Sequence, residues 1–382
     1  MQVVYAKEPV PEKITKSVFL AGPTPRSNNV QSWRPEAIRY FEEFGYDGVI
    51  FIPESRNEFY GDYIDQIDWE EKCLQIADCI LFWIPRDMTT MPALTTNNEW
   101  GVWCDSGKVV LGAPTTAVKV RYQKHYAQQL KVPFSDSLID TVKSAINMVG
   151  KGAERIGGEK KVPLYIWNTP HFQNWYQAQK KAGNRLDGAK VVWTFRVGPE
   201  CKFVFFWALH VDIYISSEKR HKTNEVVLSR PDISTVVMYQ KNSSNILDST
   251  IVLIREFRSP VANENCFVYE VPGGSSFKHG GNPKKLAADE CKEETGLIVD
   301  PERIEYLNCR QMVSTLSAHK AHLFAVEITD EELTWLKSQE GIAHGVEEDT
   351  EKTYVEITSP DSILKGDQVD WAMLGMIFSA LH

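Results

Sequence analysis

A chain of 382 residues exceeds one ordinary hydrophobic core and predicts two domains. Its 43% hydrophobic and 24% charged content is that of a globular protein, and a net charge of −9 argues against a non-specific nucleic-acid binder, which needs a basic surface. Seven cysteines without a C-x-x-C pair predict reduced thiols; with no secretory signal and no run of about 18 apolar residues, a cytoplasmic protein without a membrane span is expected.

Short apolar runs alternate with amphipathic segments along the first 150 residues. Ser17–Ala21 reads as a buried strand stopped by Gly22-Pro23, residues 32–44 carry apolar side chains at helical spacing, and residues 49–52 form a second strand. Residues 64–77 return to helical spacing, 79–84 (CILFWI) give a third strand closed by Pro85, 97–106 a helix, 109–111 a fourth strand and 135–149 a closing helix. Strict alternation of this kind predicts an α/β domain over 1–150 with a parallel, Rossmann/flavodoxin-like sheet covered on both faces. Residues 151–162 include KGAERIGGEKK, polar and without an apolar period, and read as a linker.

Residues 163–382 open with an aromatic cluster, 167–176, and then strands at 191–197, Phe203–Ile215, 235–239 and 251–256. Pro283–Thr295 is a well-marked helix, with Asn282 to cap it, Pro283 at its first position and Gly296 past its end. A strand at 322–328, a helix at Asp330–Ser338, a strand at 353–357 and an amphipathic helix at 369–381 complete a mixed-sheet α/β/α domain. The last helix suits docking on its own domain or, alternatively, a homodimer interface.

The Pro283–Thr295 helix carries Glu290, Glu293 and Glu294 at i, i+3 and i+4, so three carboxylates share one face. Like charges at that spacing repel unless a cation compensates, and Mg²⁺ or Mn²⁺ prefers such hard oxygen ligands together with substrate phosphates. The alternative is a solvated acidic face. Upstream, the glycines of Glu270-Val-Pro-Gly273-Gly274 allow a ligand to approach the backbone closely.

This unit resembles the Nudix box, whose consensus ends R-E-x-x-E-E-x-G. With Arg255-Glu-Phe-Arg258 and Glu-Val-Pro-Gly-Gly before it, it is most similar to the ADP-ribose and nucleotide-sugar pyrophosphatase branch. The resemblance implies metal ligation by Glu290, Glu293, Glu294 and the Gly273 carbonyl, catalytic roles for Glu294 and for Glu351 in the acidic stretch 347–351, and substrate contacts at Arg255, Arg258 and Glu270. Asp289 stands where the consensus has arginine, and Gly281 where it has glutamate. Those departures support an alternative, a non-hydrolytic nucleotide sensor that regulates the N-terminal domain.

In the first domain, Glu99 is read as opening the 97–106 helix, whose N-terminus would keep it ionised. Gly22, Pro23, Asp78 and Glu99 are expected to converge beyond the strands' carboxyl ends, where open parallel sheets bind ligands. The bland alternative is that Asp78 caps a turn and Glu99 belongs to a capping arrangement with Thr95 or Thr96. Phe19-Leu-Ala-Gly-Pro23, Asp68-Trp-Glu70, Ala77-Asp78 and Thr95-Thr-Asn-Asn-Glu-Trp-Gly101 resemble the nucleoside 2-deoxyribosyltransferase-like family. The resemblance implies that Glu99 attacks the anomeric carbon of a nucleoside, that Asp78 holds base or sugar, and that Gly22, Pro23 and Asn98 line the substrate site. Together the halves imply a bifunctional enzyme acting on small nucleotides or nucleotide sugars. One pairing is cleavage of NAD to ADP-ribose and then of ADP-ribose; nucleotide salvage fits equally.

Overall fold

The structure, a computed structural model, describes residues 1–27, 29–56, 63–199, 203–275, 281–345 and 351–382. It divides into two compact units, Met1–Val226 and Val227–His382.

The first unit runs β1 (Gln2–Tyr5), β2 (Lys13–Ile14), β3 (Ser17–Ala21), α1 (Arg34–Glu43), β4 (Val49–Ile52), α2 (Tyr63–Ile76), β5 (Cys79–Trp83), α3 (Leu94–Trp103), β6 (Val109–Gly112), α4 (Arg121–Gln129), β7 (Phe134–Ser135) and α5 (Leu138–Val149). Six of these strands pair in the order β1-β4-β3-β5-β6-β7, all parallel. Runs such as VIFI and CILFW are continuously apolar because both sheet faces are covered. Phe19, Phe51 and Phe82 pack with residues of α2, α3 and α4 on one face. Val18, Leu20, Ile50 and Leu81 pack with residues of α1 and α5 on the other.

From β3 the chain steps to β4 on one side and then to β5 on the other. The strand order therefore reverses there, and a crevice opens beyond the carboxyl ends of β3 and β5. At the opposite edge the Lys108 ammonium donates to the carbonyls of Leu74, Gln75 and Ala77, closing the orphan end of α2.

The segment expected as a linker is folded into this unit. β8 (Arg155–Ile156) pairs with β2, and a 3₁₀ turn follows at Gly157–Lys161. Arg155 is 1% exposed and makes an ion pair with Asp78, while its Nη1 donates to the Val162 carbonyl. Glu159, also buried, accepts from the Tyr176 hydroxyl. Polar composition mimicked a linker because these charges are sunk into the fold and matched there. The unit continues through α6 (Leu164–Trp167), α7 (Pro170–Lys181) and an antiparallel sheet ordered β11-β10-β9 (Arg220–Ser229, Phe203–Ile215, Arg185–Val197), so the division falls at Val226.

Asp78 also takes a hydrogen bond from Ser17 Oγ at 2.9 Å. Asp78→Ala leaves a buried guanidinium uncompensated and should cost about 3–5 kcal/mol of stability, read as a lower urea midpoint at unchanged slope.

In the second unit, β12 (Ile233–Gln240), β13 (Thr250–Phe257), β14 (Phe267–Glu270), β15 (Gly273–Gly274), β16 (Glu305–Gln311), β17 (Lys320–Glu327), β18 (Ala343–His344) and β19 (Thr353–Thr358) form a mixed sheet. Its main path is β16-β17-β12-β13-β19-β18, in which, among the described residues, only β12 and β17 pair in parallel. Helices α8 (Pro283–Thr295) and α9 (Asp330–Ser338) cover one face through Ala287, Cys291, Leu333 and Leu336. The other face is covered by α10 (Pro360–Lys365) and α11 (Trp371–Leu381), which bury Ile363, Met373, Met376, Ile377 and Leu381. The final helix therefore docks on its own sheet. Among the described residues no helix is long and apolar enough to cross a membrane.

Candidate active sites

At the crevice edge of the first unit, the turn after β3 is held by a buried arginine. Arg34, at the start of α1, is 1% exposed; its Nε donates to the Leu20 carbonyl, Nη2 to the Gly22 carbonyl at 2.7 Å, and Nη1 to Thr24 Oγ1 and Glu54. Trp33 Nε1 donates to the Pro23 carbonyl at 3.1 Å. A Cβ on Gly22 would collide with the Trp83 carbonyl and the Trp33 ring, so only glycine lets the ends of β3 and β5 approach this closely. The expected residues Gly22 and Pro23 thus form one wall of the crevice.

Glu99 does not open its helix. Helix α3 begins at Leu94, so Glu99 lies in the second turn, beyond the strong field of the N-terminal amides. Burial pushes its carboxyl up to about 7; the charge of Glu70 raises it further and Arg34 draws it back. The expectation of a permanently ionised Glu99 is therefore corrected: desolvation outweighs the helix end. Glu70, on α2, is itself raised by burial, with Gln66 and Arg34 opposing. Two desolvated carboxylates thus lie in the field of one buried guanidinium, and the charge of Glu70 helps to hold the Glu99 carboxyl up. Asn98, expected in the site, is exposed on α3; its neighbour Asn97 is the one engaged, accepting from Gln123 Nε2 at 2.7 Å and from Arg86.

Asp78 lies elsewhere. It precedes β5, at the amino edge of the sheet, whereas Gly22, Glu54 and the start of α3 follow their strands. A five-residue strand, about 16 Å, separates the two edges. Burial raises its carboxyl, with Arg155 and Ser17 opposing. It is a structural anchor, and Glu70 supplies the second carboxylate at the crevice. Arg34, Glu54 and Glu70 were not singled out from sequence; only Glu70 lay inside a quoted motif.

With this geometry in place, comparison with known proteins is specific to this unit. Residues 15–117 match the family model described as nucleoside 2-deoxyribosyltransferase like. The first unit therefore carries a nucleoside 2-deoxyribosyltransferase-like domain, and the match includes Gly22, Arg34, Glu54, Glu70 and Glu99. It does not extend to the second unit. No curated protein matches the chain.

In the second unit the carboxylates gather differently from the sequence reading. Glu256, Glu294 and Glu351 each offer an oxygen within 4.8 Å of the others. Glu294 is 3% exposed and its Oε2 accepts the Gly273 N–H at 2.8 Å. Gly273 thus meets the helix carboxylate through its N–H. Glu290 lies against Gly274, where a Cβ would overlap its carboxylate; burial raises it to about 7, with Glu293, Glu351 and Asp289 adding to the shift and Arg230 opposing. Glu293 is exposed and outside the three-carboxylate cluster. Residues 347–350 lie outside the described residues; Glu351 is half-buried just before β19.

Strand alternation sorts the two arginines. Arg255 bonds Glu356 at 2.8 Å and sits over the Phe267 and Tyr354 rings, on the face of β13 away from Glu256. There it is engaged by Glu356 and the two rings, on the face of β13 away from the carboxylate cluster. Arg258 falls on the Glu256 side, with Nη2 2.7 Å from Glu256 and 3.2 Å from Glu270. Arg258 and Glu270 line an open cleft of about 550 Å³ with Asn263, Val268 and Gln368. Glu256, missed from sequence, is raised to about 7 by burial, Arg258 opposing and Glu351 and Glu270 adding. Three crowded carboxylate oxygens, two of them on buried side chains, fit Mg²⁺ or Mn²⁺, which favour hard oxygen donors.

Proposed function

We propose that the chain is a bifunctional nucleotide-processing enzyme. Its first unit cleaves or transfers an N-glycosidic bond through Glu99, and its second hydrolyses the diphosphate of a nucleoside-diphosphate derivative such as ADP-ribose. The observation that carries the first part is the Glu99–Glu70 pair at the crevice edge of a domain matching the deoxyribosyltransferase-like model.

Ionised Glu99 attacks the anomeric carbon while the bond from that carbon to the base nitrogen breaks. The departing base nitrogen takes its proton from water as the bond breaks, and Glu70, whose charge holds the Glu99 carboxyl up, is ionised before Glu99. The resulting glycosyl ester on Glu99 is resolved by water, giving hydrolysis, or by a second base, giving transfer. The wall formed by Gly22 and Pro23 limits water at the anomeric carbon.

The second part rests on the helix-borne glutamates, the Gly273–Glu294 contact and the α/β/α layering, which together support the Nudix-type reading. Glu256, Glu294 and Glu351 would hold Mg²⁺ or Mn²⁺, with Glu290 and Glu293 beside them; when bound, the ion neutralises diphosphate charge and acidifies the attacking water. Arg258 orients the diphosphate from the cleft, and Glu351 takes the proton of the water. A second reading, a nucleotide sensor, is favoured by Asp289, whose charge pushes the Glu290 carboxyl up where the consensus arginine would pull it down.

The test is a product survey: the protein is incubated with nucleosides, deoxynucleotides, NAD and nucleotide sugars, with and without Mg²⁺, and products are identified by mass. Metal-independent release of free base together with Mg²⁺-dependent diphosphate cleavage is the expected pattern. Failure to release base from any of them refutes the first activity.

A further inference from the structure

The two faces of the sheet β11-β10-β9 are unequally satisfied. On the inner face Trp207 of β10 is fully buried against His171, Phe172 and Trp175 of α7. Arg196 of β9 turns the same way, its guanidinium 3.9 Å from the centre of the Tyr165 ring. On the outer face Trp193 and Phe195 of β9 are 54% and 47% exposed. Their rings stack at 6.0 Å with 16° between planes, and Phe206 of β10 lies 5.5 Å from Trp193.

β9 is also an edge strand of 13 residues. Its beginning is covered, since Gly158 of the 3₁₀ turn lies against the Asp187 backbone. Farther on, among the described residues, the backbone of residues 190–197 bonds only to β10. Lys190 and a bulge at Val192, the extra residue between the Val191–Leu209 and Trp193–Ala208 pairs, blunt the middle of that edge. Residues 193–197, Trp-Thr-Phe-Arg-Val, have no bulge of their own and no proline, and their one charge is turned inward. An apolar edge of this kind invites another strand.

We infer that residues 193–197 form a homodimer interface, pairing antiparallel with the same residues of a second copy about a two-fold axis at Phe195. The segment is self-complementary in that register, as a two-fold contact requires. Phe195 meets Phe195 and Trp193 meets Val197 on the outer face, both favourable cross-strand pairs. Thr194 meets Arg196 on the inner face, so no like charges are opposed. Helix α11, the interface candidate offered by the sequence, is spent on its own sheet. Half-exposed aromatic rings leave roughly 100 Å² each uncovered. With the strand edge, each copy offers on the order of 400 Å², about half a standard interface, so the dimer is weak and reversible.

The test is sedimentation velocity of the full chain between about 1 and 100 µM, with amide hydrogen exchange at both ends of the range. Mass should rise from monomer toward dimer with a midpoint on the order of 10 µM. Amides of residues 193–197 should exchange more slowly at the higher concentration. Phe195→Glu sets two carboxylates against each other across the axis and should weaken the dimer at least about tenfold. Trp193→Ser, which adds no charge, should weaken it less and serves if the glutamate variant misfolds. Tyr122→Glu alters a ring 76% exposed on α4 and should leave the midpoint unchanged. A monomer throughout the range, a dimer indifferent to both β9 substitutions, or concentration-dependent protection only of another segment overturns the proposal.

Discussion

Glu99→Gln should lower the rate of base release by at least about 10³-fold, because the amide keeps the shape of the carboxylate but cannot attack the anomeric carbon. In the wild type the rate should climb as pH rises through about 7, where burial has placed the Glu99 carboxyl. Glu70→Gln removes the charge that adds to that shift, so the inflection should move to lower pH. The same desolvation predicts an effect on stability. Glu99's folded-state pKa lies above its unfolded value, so its favourable contribution is present below about 4.5 and lost as pH rises through about 7. Glu99→Gln should therefore melt higher than wild type at pH 8 and match it near pH 4. A variant that releases base as fast as wild type removes Glu99 from the chemistry, while lost stability at pH 8 would deny its desolvation.

Much of the parallel sheet was legible because buried strands and amphipathic helices announce themselves by period. Ser17–Ala21, with Phe19 and Leu20 facing opposite cores, needs no partner to be read as a strand. The Pro283–Thr295 helix was equally plain, since Asn282, Pro283 and Gly296 mark both ends. Less legible were features set by partners distant in sequence. Arg155 lies in a stretch that looks solvent-exposed until Asp78, 77 residues away, is seen to bury it. Helix α4, RYQKHYAQQ, hides behind polar side chains because only Gln123 and Ala127 turn fully inward. The start of α3 was misplaced because Thr95 and Thr96 look like caps, whereas Ala93, with a left-handed backbone, precedes the first turn. The three-residue shift takes Glu99 out of the first turn, and burial, which the spacing does not reveal, sets its carboxyl at about 7.

In the second unit the spacing of Glu290, Glu293 and Glu294 found the acidic helix but could not tell which carboxylate turns inward. Glu256 arrives from β13, paired with Thr353, whose hydroxyl in turn donates to the Glu294 carbonyl. Register across the sheet, not spacing along one helix, assembles the cluster. Its most informative prediction follows from that assembly. Glu294→Gln and Glu256→Gln should each relieve repulsion among desolvated carboxylates, so both variants should melt at or above wild type in metal-free buffer at pH 8. With Mn²⁺ or Mg²⁺ in excess the order should invert. Wild type gains stability in proportion to the logarithm of ion concentration over Kd, about 2.7 kcal/mol at a hundredfold excess, while each variant gains little. Mg²⁺-dependent turnover of ADP-ribose should fall at least about 10³-fold in Glu294→Gln. Metal-dependent stabilisation with tight nucleotide binding but no turnover in wild type would instead establish the sensor reading. Melting temperatures indifferent to both ions would remove the metal site, and the second activity with it.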